Sequence, residues 1–339
     1  MLAGAARIDI TPAESIWMEG MLRAHRSEGV HDPTFAKALV LSNDDRLDRA
    51  CAIVAVDVCV MPDWLTLDVR RAVEQTVGIP ADHIIIAAKH IHSGPDTDGE
   101  GEPEIRYTKV LKEKLFLAVQ EAAGNLQPVR TGSASGRENT ISEYRRLLAD
   151  DGHVVMNWEP WPLEHLVAVL GIPDPEVGVL KVEDLSGQPL CILFNHAGHP
   201  NVLSGDNYLI SAEYPGHAER LLEEEFGGIA MFVNGAQGTM DIDGMGPRDW
   251  AEMERIGAKL AAEVAAVARG IEPQEEVTVR CANLKHGLPA RKVSEEQLAW
   301  AKAIIEETGG TVQPLPDGVG DDYKALLLER LHKVQDVPI

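Results

Sequence analysis

The sequence predicts an α/β fold in which a mixed, largely buried β-sheet is flanked by helices. Short, continuous apolar runs such as Ile84–Ala88 and Leu190–Asn195 are typical of strands covered on both faces. Longer segments between such runs carry apolar residues at helical spacing. The chain has 339 residues, 45% of them hydrophobic, which is enough for one large domain or two ordinary ones.

The first half of the chain predicts a strand–helix–strand unit. Predicted strands cover residues 4–10, 35–41, 51–60 and 84–88. A helix capped by Asp63 precedes the last of these, because Leu65, Val69 and Val73 recur at helical spacing. A helix between two consecutive strands favours their parallel pairing. We expect the strand over 84–88 to be buried on both faces of the sheet.

The second half predicts further strands and helices. Strands are predicted over 178–182, 190–195, 229–233 and 277–284, and helices over 104–123, from Pro215, over 253–267, over 294–308 and over 321–334. The polar segment 128–160 predicts few strands. The chain ends on what resembles the approach to another strand, so we expect an interrupted domain.

Composition excludes several classes of partner. The formal net charge of −23 repels nucleic acid and anionic membranes. The sequence contains no run of 18 apolar residues, and its first residues lack the features of a signal peptide. The four cysteines stand singly, as expected for buried, reduced thiols in a cytoplasmic protein. A small-molecule substrate is therefore the expected partner, and homo-oligomerisation is left open.

Three apolar runs each end in a turn that carries polar groups. His90 and His92 follow the first run, His196 and His199 the second, and the segment 234–241 the third. If the three strands are parallel members of one sheet, their carboxyl ends meet at one edge, where α/β proteins bind ligands. We therefore expect an active site at this edge.

The pair His90 and His92 suits a metal or a proton-transfer pair, because residues i and i+2 of an extended chain point to the same side. Two polar residues that cap a strand would give the same pattern. Zinc is the natural candidate metal, bound by imidazoles with a carboxylate or phenolate and one position left for water. Asp57, alone in an apolar strand, has either a hydrogen-bonded structural role or a supporting role near the site.

Four blocks of the sequence resemble the N-terminal catalytic domain of the neutral/alkaline (non-lysosomal) ceramidase family. They are Ala5–Pro12, Gly29–Pro33, Lys89–Pro95 and the run from Asn195 to Gly238. The resemblance extends over residues 3–285. It implies a single ceramidase-like catalytic domain at 1–285, with 286–339 as a helical extension of the same domain.

The family's members are zinc amidases that cleave the N-acyl bond of ceramide. By position, the resemblance makes His90 and His199 ligands of Zn²⁺, and His92 the neighbouring catalytic histidine. Arg145 would contact the substrate. We expect contacts with the substrate, or support for the ligands, from His31, Asp57, His196, Asp206, Asn207, Gln237 and Asp241.

The sequence departs from the family in ways that bear on the substrate. In the family, a glutamate and a tyrosine beyond the end of this chain complete the zinc site. We therefore expect either a truncated piece or a site completed differently, by Asp57 or Asp241. We expect the protein to lack the family's export signal and C-terminal β domain. This favours a cytoplasmic hydrolase of a small soluble amide. The alternatives are an ester or lactone hydrolase on the same site, and a non-catalytic relative that binds a metal or small ligand.

Overall fold

The computed structural model of the chain describes residues 1–159, 161–242, 246–284, 287, 289, 291–314 and 320–334. The strands are β1 (Leu2–Asp9), β2 (Gly29–Val30), β3 (Phe35–Ser42), β4 (Cys51–Val56), β5 (Ile84–Ala88), β6 (Gln127–Arg137), β7 (Glu143–Tyr144), β8 (Arg146–Ala149), β9 (Val154–Met156), β10 (Leu166–Val169), β11 (Glu176–Asp184), β12 (Pro189–His196), β13 (Leu209–Ile210), β14 (Ile229–Asn234) and β15 (Met240–Asp241). The helices are α1 (Asp63–Thr76), α2 (Glu102–Gly124), α3 (Glu213–Phe226), α4 (Trp250–Gly270), α5 (Glu295–Thr308) and α6 (Asp321–Val334).

The central element is a mixed sheet of eight strands in the order β14-β12-β11-β6-β1-β3-β4-β5. Its pairings are antiparallel except for two parallel pairs, β4 with β5 and β12 with β14. This confirms the predicted mixed α/β architecture. The strand–helix–strand unit is also confirmed, because α1 buries Leu65, Val69 and Val73 and leads into β5 beside β4.

The prediction that β5 is covered on both faces is wrong. This strand is the last in the sheet, and the Ile85 side chain is 59% exposed. Sequence periodicity identified a strand here, but the apolar run alone did not distinguish an edge strand from a central one.

The segment expected to be poor in strands contains β6, an eleven-residue strand in the middle of the sheet. The sequence pattern of β6 is a weak indicator of a strand, because small residues stand where neighbouring elements pack closely. A Cβ atom at Gly132 would lie 2.7 Å from Ile271, and one at Gly136 would lie 2.1 Å from the Glu263 carboxylate of α4. The strand predicted at 277–284 is also wrong, because these residues have no regular structure.

The three strands that end in polar turns belong to one sheet, but they do not share one direction. Between β12 and β4 lie five antiparallel pairings, and β5 is parallel to β4, so β5 runs opposite to β12 along the sheet. The expectation of parallel polarity is therefore wrong for β5. The carboxyl end of β5 nevertheless lies close to the carboxyl end of β14, the outer strand on the other side of the sheet. There the Asn234 side-chain amide donates to the Lys89 carbonyl oxygen over 3.0 Å.

A network of buried charges joins the sheet to α3. The Lys89 ammonium lies 2.7 Å from an Asp57 carboxylate oxygen and 2.5 Å from Glu219. The Lys37 ammonium lies 2.8 Å from Glu219 and 2.7 Å from Glu223. Burial alone would lower the pKa of Lys89, but Asp57 and Glu219 raise it above its ordinary value. Asp57 is thus a structural ion-pair partner, the first of the two roles left open by the sequence.

We expect Lys89→Met to lower the free energy of unfolding by about 3–5 kcal/mol, because it leaves buried carboxylates without their cation. The exposed pair of Lys112 and Asp68, 2.6 Å apart, supplies a matched control. Lys112→Met should cost at most about 1 kcal/mol. Urea unfolding of both variants measures the difference, and equal losses would contradict this account of the network.

Candidate metal centre

Three imidazoles from distant parts of the chain converge on one point. The Nε2 atoms of His92 and His199 lie 3.0 Å apart, and those of His90 and His92 lie 3.4 Å apart. The rings pack edge to face, with the centroids of His90 and His199 separated by 4.6 Å. The structure therefore brings together the three histidines that the sequence singled out.

The physical reason for this convergence differs from the one expected. The strand ends at Ala88, and His90 has a backbone φ of 68°, in the left-handed region that non-glycine residues rarely adopt. The turn is held because the His90 amide donates to the Val58 carbonyl oxygen over 3.0 Å. A kink, not a continued strand, thus turns the two rings toward one another. Backbone strain of this kind concentrates at functional sites.

Backbone carbonyl groups orient two of the rings. The Nδ1 atom of His90 lies 2.9 Å from the Cys59 carbonyl oxygen. The Nδ1 atom of His199 faces the Gln237 carbonyl oxygen at the longer distance of 3.5 Å. When Nδ1 donates to such a carbonyl, the Nε2 lone pair is left for a ligand. Gln237 therefore supports the site through its main chain.

His92 is fixed through its backbone and by a close glycine. Its amide donates to the Pro200 carbonyl oxygen over 2.9 Å, and its own carbonyl accepts from Arg23 over 2.9 Å. Gly20, at φ 96°, packs against the ring so closely that a Cβ atom there would lie 2.5 Å from the imidazole. Arg23 also donates to the Asn207 carbonyl oxygen over 2.8 Å, which connects Asn207 to His92.

Burial keeps the imidazoles neutral. It lowers the pKa of His92 well below 6.5, helped by the neighbouring His199 and His90. It lowers the pKa of His199 to about 3 and also depresses that of His90. Neutral imidazole is the form that binds metals. Two nitrogens bound tetrahedrally to one zinc at about 2.05 Å lie roughly 3.3 Å apart, so the spacing of these Nε2 atoms suits zinc.

Cys59 is a further potential ligand that sequence reasoning missed. Its ligand atom and those of His90 and His92 lie within 4.8 Å of one another, and its sulfur is 3.5 Å from His90 Nδ1. Burial, followed by the nearby Glu19, raises the pKa of this thiol. A bound metal would have to deprotonate it. In the sequence, a single cysteine in an apolar run gave no sign of this position.

The histidines line a cavity of about 380 Å³. Two predicted residues, Arg145 and Asp241, share its wall, because the pairing of β7 with β15 places their segments side by side. The Arg145 guanidinium lies 5.3 Å from the centre of the Trp158 ring. Burial raises the pKa of Asp241 to about 6, against the opposing effect of Arg248. Asp241 is thus the predicted carboxylate that reaches the cavity.

Glu19 also lines the cavity and was not predicted. Burial raises the pKa of its carboxyl group to about 7, and the charges of Asp96 and Asp98 add to the effect. These acids belong to a loop more than 70 positions further along the chain. No local pattern around Glu19 could have revealed its environment.

Several predicted residues lie elsewhere. Among the described residues that line the cavity, none is His31, Asp57, His196 or Asp206. The His31 ring stacks on Trp250 at 3.8 Å. His196 is fully buried, with Nδ1 3.0 Å from the Glu176 carbonyl oxygen and Nε2 facing Ser142. Asp206 contacts the Ser204 hydroxyl. The expectation that these four touch the substrate is therefore not supported by their positions.

Comparisons with known proteins find two similar sequences that are both named neutral ceramidases. No protein-family model matches the chain. Neutral ceramidase A of Dictyostelium discoideum is 24% identical over 257 residues, which cover 72% of this chain and 33% of that protein. Neutral ceramidase B of the same organism is 22% identical over 239 residues, covering 65% and 32%. The chain thus aligns with about a third of the length of these curated relatives.

Solved structures agree on the fold. A neutral ceramidase from Pseudomonas aeruginosa matches with a TM-score of 0.64 at 20% identity, over 81% of this chain and 45% of that one. A ceramidase complexed with C2 matches with a TM-score of 0.65 at 20% identity, over 81% and 44%. The mixed sheet and its helices therefore define an α/β domain of the ceramidase type. The chain is thus similar to neutral ceramidases in sequence and in fold, as the sequence blocks indicated.

A search of the described helices for one long and apolar enough to cross a membrane finds none.

We expect Gly20→Ala to disturb the site more than the fold. Gly152 is the matched control, because its φ of 89° is close to the 96° of Gly20 and a methyl group there would have no atom within 4 Å. Both substitutions should cost about 1–2 kcal/mol of stability through backbone strain. Only Gly20→Ala pushes on the His92 ring, so only this variant should shift the histidine ring signals in the NMR spectrum. Unshifted ring signals in both variants would contradict the role assigned to this contact.

Proposed function

We propose that the chain is a zinc-dependent hydrolase that cleaves the carbon–nitrogen bond of a small soluble amide. The observation that carries the proposal is the cluster of three neutral imidazoles in the wall of a cavity. The relatives named as ceramidases support an amide as the substrate class. The division into a catalytic domain at 1–285 and an extension at 286–339 remains a prediction, as does a cytoplasmic location.

His90 and His199 would hold the zinc, with His92 beside them. The neutral state of both rings and the 4.6 Å between their centres suit a shared ion. An alternative set of ligands consists of Cys59, His90 and His92. Asp241, on the same cavity wall, is the carboxylate available to complete either set. When bound, zinc supplies a Lewis acid that polarises the amide carbonyl and activates water.

The chain's own residues supply orientation and proton transfer. His92 is held by the Pro200 carbonyl oxygen, by Arg23 and by the close packing of Gly20. From this fixed position its ring can hydrogen-bond to the carbonyl oxygen of the amide or pass a proton to the leaving nitrogen. Arg145 would contact a part of the substrate away from the reacting carbon.

The size of the cavity supports a small substrate. About 380 Å³ lies within the range of roughly 300–1,000 Å³ that is typical of small-molecule sites. An ester or lactone would fit the same arrangement, since its carbonyl group presents the same oxygen to the metal and to His92. A relative that binds a metal or small ligand without turnover is the alternative outside enzyme chemistry.

We expect the purified protein to hold about one zinc per chain, measured by mass spectrometry. His90→Ala and His199→Ala should lose it, whereas Cys59→Ser and the exposed control His153→Ala should keep it. His92→Ala should keep most of the zinc but lower kcat about 10²- to 10⁴-fold, as expected for loss of a general acid–base group.

Two results would overturn parts of this assignment. Loss of zinc in Cys59→Ser together with its retention in His199→Ala would move the metal to Cys59, His90 and His92. Retained zinc without turnover on a panel of amides, esters and lactones would favour the non-catalytic alternative.

A further inference from the structure

We propose that the substrate carries a carboxylate beside the scissile amide and that the Arg145 guanidinium binds it. This inference rests on the proposed hydrolase function and adds the chemical class of the substrate.

The Arg145 side chain lies in the cavity wall without a hydrogen-bond acceptor among the described residues. The backbone is fixed on both sides, because its amide donates to the Thr239 carbonyl oxygen over 3.0 Å and its carbonyl accepts from Asn157 over 2.8 Å. The guanidinium, half-buried in the cavity wall, lies against Trp158. Within the part of the chain that the structure describes, nothing accepts a hydrogen bond from it.

A more deeply buried arginine shows a different arrangement. Arg23 donates to the carbonyl oxygens of Asn207, Met18 and His92, so its guanidinium is satisfied by the protein. Arg145 is only half-buried and lines the cavity, so its donors are open to a ligand that enters there. A carboxylate can accept two parallel hydrogen bonds from the guanidinium fork. The contrast with Arg23 indicates that the partner of Arg145 is a ligand.

The neighbouring charges leave Arg145 available. The charge of Asp241 acts on Arg145, but no hydrogen bond joins these two described side chains, and one Asp241 oxygen accepts from the Ile242 amide over 2.9 Å. Arg248, also in the wall, donates to the Asn201 carbonyl oxygen over 2.9 Å and adds a second positive charge to the cavity. The carboxyl groups of Glu19 and Asp241 line the same cavity and offset these charges, so the recognition of an anionic group depends on Arg145 itself.

Arg145 and the three histidines line the same cavity, so one small molecule can reach both. Hydrolysis breaks the C–N bond, adds the hydroxyl of water to the acyl carbon and a proton to the leaving nitrogen. The carboxylate can belong to the amine product, as in an N-acyl amino acid. It can instead belong to the acyl product, as in the monoamide of a dicarboxylic acid. Both share the chemistry that Arg145 recognises.

The test compares charged and neutral substrates of matched size. N-Butanoylglycine is paired with N-butanoylethanolamine, and N-methylsuccinamate with N-methylbutanamide. In Arg145→Gln, kcat/KM for the preferred charged substrate should fall about 10- to 100-fold, the loss expected for hydrogen bonds to a charged group. Turnover of the neutral partner should fall much less, whereas zinc content and the melting temperature should change little. The exposed neighbour Arg146 supplies the control variant Arg146→Gln, which should resemble the unaltered protein.

The outcomes separate this inference from the proposed function. If the neutral amides are cleaved as well as the charged ones, or if Arg145→Gln slows both equally, the carboxylate is not recognised and the hydrolase assignment stands. If no amide is cleaved, calorimetry measures whether N-butanoylglycine binds, and this result decides whether the carboxylate is recognised. Binding that weakens in Arg145→Gln but not in Arg146→Gln upholds the carboxylate site without the reaction. Absence of binding overturns the inference.

Discussion

The ion pairs of Lys89 determine where the site can form. The Lys89 ammonium joins Asp57, which follows β4, to Glu219 on α3, and Glu219 also binds Lys37 on β3. Charges buried in this way are tolerated only when their geometry is well satisfied, which ties the sheet firmly to the helix. Because Lys89 immediately precedes His90, the same ion pairs fix the start of the turn that carries the first two imidazoles.

Buried ionisable side chains are charged in one part of the molecule and neutral in a neighbouring part. Around Lys89 the charged forms persist, because each cation has carboxylates within 3 Å. Around His92 the nearest groups are other imidazoles and Arg23, so burial favours the neutral form. One interior thus contains a charged structural network and, beside it, uncharged imidazole nitrogens. This separation would allow the proposed metal to bind without disturbing the ion pairs that support the fold.

Much of the fold could be predicted from the sequence. The spacing of Leu65, Val69 and Val73 was enough for the strand–helix–strand unit and its parallel pairing, because those features depend on local periodicity. The strand β6 could not be found, since its glycines are chosen for contacts with α4 and Ile271 that lie far along the chain. Periodicity also could not tell that β5 is an edge strand, which depends on the whole order of the sheet.

The residues of the candidate site were predicted less completely than the fold. The motif around His90 and His92 was local, and the match to a known family added His199. Nothing local distinguished His199, which faces the cavity, from His196, which bonds to β11. Glu19 and Cys59 were missed because their environments are created by segments distant in sequence. A sequence pattern therefore identified histidines that cluster in the structure, while the residues around them could be assigned only from the fold.

The separation of the ligands along the chain has a consequence for folding. His92 and His199 are 107 positions apart, and their contact requires both ends of the eight-stranded sheet to be in place. Contacts between residues so far apart form slowly, because the chain loses entropy in closing the intervening loop before the new contacts stabilise it. A metal held by His199 and by His90, which lies beside His92, can bind only after the sheet has closed. Its stabilisation would then appear mainly as slower unfolding, with little change in the rate at which the chain folds.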